Sequence, residues 1–476
     1  MPQQQLPDKQ YALQLVSPDK LALNESKPVC PPGPHQLLCR IEAVGLCFSD
    51  LKLLKQFSSH VRKSQIISGI DSKLLEEIPS YVPGDKSTVP GHELVVRIEQ
   101  VGSEVTDFTP SERYLVQTDY RWLKTEGSNA AFGYNFEGGL QQYVIMDTRV
   151  ITSPDGESML IPVSEQLSAS AVALVEPWAC VEDAYVSLER QTIKKDSRLL
   201  VVTNIDIDQS QINNQLSGLG ATPQQTTCVT AAQVSQLDDT AFDDIIYFGS
   251  VAETVESLFA KLANNGLLNI VLCGGRFDRD ITVYIGRVHY GGIRIIGTTG
   301  DNPAESMKYI PQTSEIRPGD KINVIGAGGP MGVMHVVRNV CQGVKDVSVY
   351  ASDVDDSRLS ALTKIVEPLA GENNVEYKTY NPVKQTGEPA PDDFDYIALM
   401  APVPALVCSS IPQAARGAII NVFAGIPATV TAEINLDSYI EKQLYFVGTS
   451  GSILDDMKSV LAKVEDGRLD TNVSVA

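Results

Sequence analysis

Four residues in three distant segments have types that could share chemistry. Cys47 stands in "GLCFSD", His92 and Glu93 adjoin in "VPGHELVVRIEQVG", and Glu176 precedes Pro177 in "ALVEPWACVEDAY". A thiolate, an imidazole and carboxylates together bind Zn²⁺ tetrahedrally and leave one position for water or an alcohol oxygen. Spacing does not establish such a site, because the segments lie far apart. Taken alone, Cys47 fits a disulfide half, a reactive thiol, a packed core residue or a ligand. His92 alone fits a hydrogen-bonded structural histidine, and Glu176 a helix-end carboxylate. The eight cysteines are scattered singly, with no CxxC pair, which suits a reducing compartment and argues against the disulfide.

A second candidate is "GAGGPMG", with Gly326, Gly328, Gly329 and Gly332, between the strand-like "KINVI" and a helical run with Met334, Val337 and Cys341 on one stripe. Glycines let a backbone turn tightly and approach a diphosphate, and the following helix aims free N–H groups and a positive dipole end at it. The next strand, "DVSVYASD", ends at Asp353, where a carboxylate can bind an adenosine ribose and would repel a 2′-phosphate. The pattern predicts dinucleotide binding, NAD before NADP; a purely structural glycine turn is the bland reading. Arg358 could soften that preference, although its place on a helix also suits a solvated arginine.

The elements that must position these residues fall into two styles. Residues 1 to about 150 alternate apolar and polar positions between turn residues, the mark of a small antiparallel β domain. A polar insertion at 55–88 interrupts it and predicts a long excursion with one helix, the kind that forms lids or substrate walls. His60, Arg62 and Lys63 within it could meet a phosphate or sugar hydroxyls; a charged loop patch is more often simply solvated.

From Ser197 apolar strands alternate with helical periods, which implies βαβ units and a parallel sheet. The pattern occurs twice. "FDDIIYFGS" matches "FDYIALMAP", "GLLNIVLCGG" matches "GAIINVFAG", and "GIRIIGTTG" matches "QLYFVGTSG", in the same order. A duplicated nucleotide-binding-type domain is expected. Only the second copy has the glycine turn; the first continues from its strand into "TNIDIDQ", so a structural role is expected for it, with His289 and Tyr290 of "GRVHYGG" as its candidates for reaching a shared cleft.

Bulk properties exclude several classes. A formal charge of −21 over 476 residues repels a phosphate backbone, so no nucleic-acid partner is expected. No apolar run reaches the roughly 18 residues that span a bilayer, and the N-terminus lacks a signal-peptide pattern. A cytoplasmic protein of two or three domains, without a membrane partner, is expected.

"GLCFSD", "GHELVVRIEQVG", "EPWACVEDA" and "GAGGPMG" occur in an order that resembles the zinc-dependent medium-chain dehydrogenase/reductase superfamily, and within it the polyol dehydrogenases. "GPMGVMHVVR" is similar to the sorbitol dehydrogenase and L-sorbose 1-phosphate reductase type. The resemblance implies a GroES-like antiparallel β domain at 1–190 and an NAD-binding Rossmann domain at 313–476; the first copy, a degenerate Rossmann-like domain at 191–312 expected from the repeated strands, lies outside the family's usual single-domain plan. It implies an oxidoreductase moving hydride between a polyol, secondary alcohol or sugar phosphate and a nicotinamide. Cys47, His92 and Glu93 would approach one catalytic zinc, with Glu176 a further or water-mediated ligand. Ser49 would relay the substrate proton, and Asp50 would orient a ligand. A homo-oligomer, dimer or tetramer, follows from the same resemblance. Two departures stand out: no cysteine lies between Gly102 and Gly139, so no structural zinc is expected, and the insertion lengthens the Cys47 to His92 spacing. The closing "DTNVSVA" also leaves the family's usual return to the β domain either missing or made differently. The rival reading is a cofactor-binding regulatory or structural protein of the same fold without turnover.

Overall fold

The computed structural model describes residues 6–205, 209–216, 218–387, 392–449 and 451–474. The chain divides into two compact units, 1–180 with 452–476, and 181–451.

In the first unit, β1 (Lys9–Ser17) and β2 (Lys20–Pro28) form a hairpin. β3 (Gln36–Gly45), β5 (Glu93–Val101), β6 (Arg113–Val116), β9 (Tyr143–Asp147) and β10 (Leu160–Pro162) make an antiparallel sheet in the order β10-β6-β5-β3-β9. A smaller sheet joins β4 (Ile66–Ser68), β7 (Asp119–Thr125) and β8 (Ser128–Ala131) in the order β4-β7-β8. The period-2 strands expected from sequence are β3, β5, β6 with β7, and β9. The insertion holds one short helix, Ser72–Glu76, as expected, and also β4 and two 3₁₀ turns. The pairing that matters most is β3 against β5, which sets Gly45 opposite Glu93.

The last segment belongs to this unit, so the expected 313–476 domain is corrected at its end. The helix Leu454–Glu465 buries Leu454, Met457, Val460 and Leu461, and Thr471 ties the chain down. Its hydroxyl donates to the Ala171 carbonyl at 2.7 Å, while its own carbonyl accepts from the Trp178 indole at 3.2 Å. The return to the β domain is thus made by a helix and a 3₁₀ turn at Thr471–Ser474. The expected boundary at 190 falls at Cys180, inside the helix Val175–Val186.

The second unit contains two parallel sheets. The first orders β11 (Arg198–Thr203), β12 (Gln225–Thr230), β13 (Phe242–Phe248), β14 (Leu262–Val271) and β16 (Arg294–Thr298) as β12-β11-β13-β14-β16. The short β15 (Ile281–Val283) and the helix Gly286–Tyr290 lie between β14 and β16, and the second sheet begins after the helix Pro303–Met307. It comprises β17 (Lys321–Ile325), β18 (Ser348–Ser352), β19 (Glu376–Asn381), β20 (Thr386–Gly387), β21 (Phe394–Leu399), β22 (Ala414–Asn421) and β24 (Tyr445–Val447), ordered β20-β19-β18-β17-β21-β22-β24. Without the antiparallel β20, this is the doubly wound order of dinucleotide-binding folds. β23 (Ala432–Ile434) pairs with β15. The central strands β11, β13, β17 and β21 read as apolar runs because both faces of the sheets are covered there. In "TNIDIDQ", Asp206, Ile207 and Asp208 lie outside the described residues. No helix among the described residues is long and apolar enough to cross a membrane.

Candidate functional site

Cys47 is the residue before the helix Phe48–Gln56, placed there by the end of β3. Glu93 begins β5 and His92 immediately precedes it, so the β3–β5 ladder brings three of the four candidate ligands together. One ligand atom from each of Cys47, His92 and Glu93 lies within 4.8 Å of the other two, a set that suits a metal ion. His92 and Glu93 are buried and Cys47 is half-buried. None of the eight cysteines forms a disulfide.

One carboxylate organises the cluster. Asp50 Oδ1 lies 3.2 Å from His92 Nδ1 and accepts the Gly91 N–H at 3.2 Å; Oδ2 accepts the Cys47 N–H at 2.9 Å. Burial pushes the Asp50 carboxyl up, but the bonds from His92, Cys47 and Gly91 outweigh it and hold it below the usual range. Burial disfavours a charged His92, yet Asp50 and Cys47 raise its pKa well above the ordinary value. A hydrogen bond at Nδ1 leaves Nε2 as the nitrogen for a ligand. Ser49 Oγ is 3.1 Å from that nitrogen.

Glu176, half-buried in the first turn of the helix Val175–Val186, stands outside the three-atom cluster but acts on it electrostatically. Burial, then the charge of Glu176, raises Glu93 to about 7. Burial likewise raises Glu176 against the opposing fields of His92 and Arg62. Two carboxylates that resist joint ionisation are a natural place for a divalent cation.

Two residues here had no signal in the sequence. A Cβ at Gly45 would strike the Glu93 carboxylate, so the glycine makes the space Glu93 occupies; only the strand register reveals this. Tyr134 lies with its ring 5.6 Å from His92 and 5.0 Å from His60, while the Arg62 guanidinium sits 5.7 Å from the same ring. Arg62 also lies 3.8 Å from Asp119. The insertion therefore brings His60 and Arg62 beside the cluster. Lys63 goes elsewhere, and neither expectation for it holds: it is fully buried and bonds the carbonyls of Val82 and Lys86, the latter at 2.8 Å. A buried ammonium must be satisfied, and these carbonyls do so.

In the second unit, Gly326 has φ +82° at the end of β17, and its N–H and that of Ala327 both bond the Ser352 carbonyl. A Cβ at Gly332 would meet Gly326 O at 2.5 Å, so this glycine lets the helix Pro330–Cys341 pack on the turn. Gly329 precedes that helix. Gly328 donates to Asp353 Oδ2 at 2.9 Å, and Asp353 Oδ1 accepts the Asp355 N–H at 3.0 Å. Asp353 thus braces the glycine turn. Arg358 is exposed, 4.0 Å from Asp355.

Residues 33–155 match the family of alcohol dehydrogenase GroES-like domains. With the doubly wound second unit, the chain has an alcohol dehydrogenase-like fold. It is 29% identical over 194 residues to the protein YggP of Escherichia coli (strain K12), covering 38% of this chain and 45% of YggP. It thus spans less than half of that relative. It is 24% identical over 343 residues to mannitol-1-phosphate 5-dehydrogenase of Aliivibrio fischeri (strain ATCC 700601 / ES114), covering 61% and 78%. Among solved structures, 2R,3R-butanediol dehydrogenase of Bacillus subtilis aligns with a TM-score of 0.55 at 12% identity, over 98% of this chain and 90% of that one. At that identity the likeness concerns the fold.

Proposed function

We propose that the chain is a zinc-dependent, NAD-linked oxidoreductase acting on a secondary alcohol of a polyol or sugar phosphate. The observation that carries this reading is the cluster of Cys47, His92 and Glu93, with Ser49 at the free face of His92. The donor set of sulfur, imidazole and carboxylate suits Zn²⁺, and Gly45 leaves room for Glu93 to join it. When bound, the metal supplies Lewis acidity to an alcohol or carbonyl oxygen and the nicotinamide accepts or gives the hydride.

The chain's own residues do the rest. Asp50 keeps a proton on His92 Nδ1 and fixes the ring's direction. The Ser49 hydroxyl can pass the substrate proton on. Tyr134 walls the site with its ring, and Arg62 sets a positive charge beside it for an anionic end of the substrate. Glu176 serves as a further carboxylate near Glu93. At the glycine turn, Gly326, Gly328, Gly329 and Gly332 cradle the pyrophosphate, and Asp353, already bonded to Gly328, receives the ribose and disfavours a 2′-phosphate. Arg358, exposed and 4.0 Å from Asp355, stands beside Gly328 where it can soften the preference for NAD.

A metal assay combined with a panel of polyols and their phosphates, followed by NADH absorbance, tests the reading. Cys47→Ser should remove both metal and turnover. Turnover that survives the substitution overturns the mechanism, and equimolar zinc without turnover on any substrate favours the non-catalytic alternative.

A further inference from the structure

β15 and β23 pair antiparallel, with Ile281 opposite Ile434, Thr282 opposite Glu433 and Val283 opposite Ala432. The stretches Gly266–Gly300 and Gly417–Gly451 are equally long and end in "GTTG" and "GTSG", so each position in the first has a counterpart 151 residues on. Thr282 and Glu433 are counterparts of each other. Ile281 faces the counterpart of Val283, and Val283 faces the counterpart of Ile281. A segment paired in this way with its own equivalent is what a two-fold axis produces.

The same exchange holds away from the strands. A Cβ on Gly297 would meet Ile440 at 2.8 Å, and one on Gly448 would meet the His289 backbone at 2.9 Å. Gly448 is the counterpart of Gly297, and Ile440 that of His289. The helix Leu436–Glu441 packs on β16, while the helix Gly286–Tyr290 packs on β24, and the equivalent edge strands β16 and β24 lie side by side. His289 is buried in this seam. One hydrophobic core crosses it, with Ile281, Ile285 and Ile295 from one side and Ile434, Leu436 and Phe446 from the other.

We propose that the first parallel sheet occupies the place of a second subunit, so that the chain carries its own two-fold partner and is a monomer in solution. An isologous interface needs the same patch on both members, and here the patch of the second sheet is already covered from within. The covering also removes the edge of β24 as a template for another chain. What the first sheet has kept fits this role. It has β14 and β16, which with the intervening β15 build the seam, but among the described residues no strand matching β19, and Thr203-Asn204-Ile205 stand where the second sheet has its glycine turn.

The test joins Thr282→Cys with Glu433→Cys under mild oxidation, with products located by peptide mapping. The double variant should link positions 282 and 433 within one chain, each single variant should gain no link at its new position, and the particle should sediment at 51.6 kDa throughout. A 282–433 link joining two chains, or a 282–282 link in the single variant, overturns the proposal. Sedimentation velocity of the unaltered protein keeps the question open to refutation if the variants fail to fold: a single 51.6-kDa species is expected, and a dimer at micromolar concentration overturns it.

Discussion

Asp50 and His92 are bonded through Oδ1 and Nδ1 at 3.2 Å, and the same carboxylate holds the backbone of Cys47. One side chain therefore sets the direction of the imidazole and the start of the helix that presents the thiol. Asp50→Asn keeps the shape but loses the charge. On the proposed reading, zinc affinity should fall about 10- to 100-fold while the far-UV circular dichroism stays unchanged. Chelator competition measures the first, and unchanged affinity would deny Asp50 this role.

Gly45 and Glu93 face each other across β3 and β5. Gly45→Ala should displace the Glu93 carboxylate and lower bound zinc, because the added methyl takes its space. In the Glu93→Ala background the same change should cost little more, since neighbouring substitutions are not additive. Elemental analysis of the three variants checks this; additive losses would contradict it.

Arg62 sits over Tyr134 beside the cluster. Arg62→Ala should lower kcat/KM for phosphorylated polyols about 10- to 100-fold, the worth of a charge-assisted hydrogen bond of about 1.5–3 kcal/mol. Unphosphorylated polyols should be affected far less. Equal losses on both classes would show that Arg62 shapes the site without reading a phosphate.

His335 is fully buried, its Nδ1 2.8 Å from the Tyr185 hydroxyl. Burial, then the charge of Arg338, lowers its pKa from 6.5 to about 3. Between those values the unfolded chain binds a proton that the folded one refuses, so this group makes stability fall as pH drops below about 6.5. Urea titrations at pH 7 and pH 5 should show the unaltered protein losing about 2 kcal/mol more than His335→Gln, from about 1.4 kcal/mol per pH unit. Parallel losses would mean that His335 takes up its proton in the fold as readily as in the unfolded chain.

The sequence by itself determined the strand periods, the glycine turn and the residue types of the site. Alternation marks a sheet with one covered face, and glycine takes the φ of +82° at Gly326 without the strain a side chain would bring. Tertiary structure decided what depends on register and return. The space for Glu93 is made by Gly45, a residue with no chemistry of its own, and appears only once β3 and β5 are in register. Arg62 and Lys63 are neighbours of like charge, yet one approaches the cluster and the other is buried under backbone carbonyls, because short 3₁₀ turns follow no period that a sequence displays. The closing segment carries an ordinary amphipathic pattern that names no partner, and the Thr471 bonds to Ala171 and Trp178 place it with the first unit. Matching strands in the sequence predict a repeat, and the antiparallel pairing of Thr282 with Glu433 exists only in the tertiary structure.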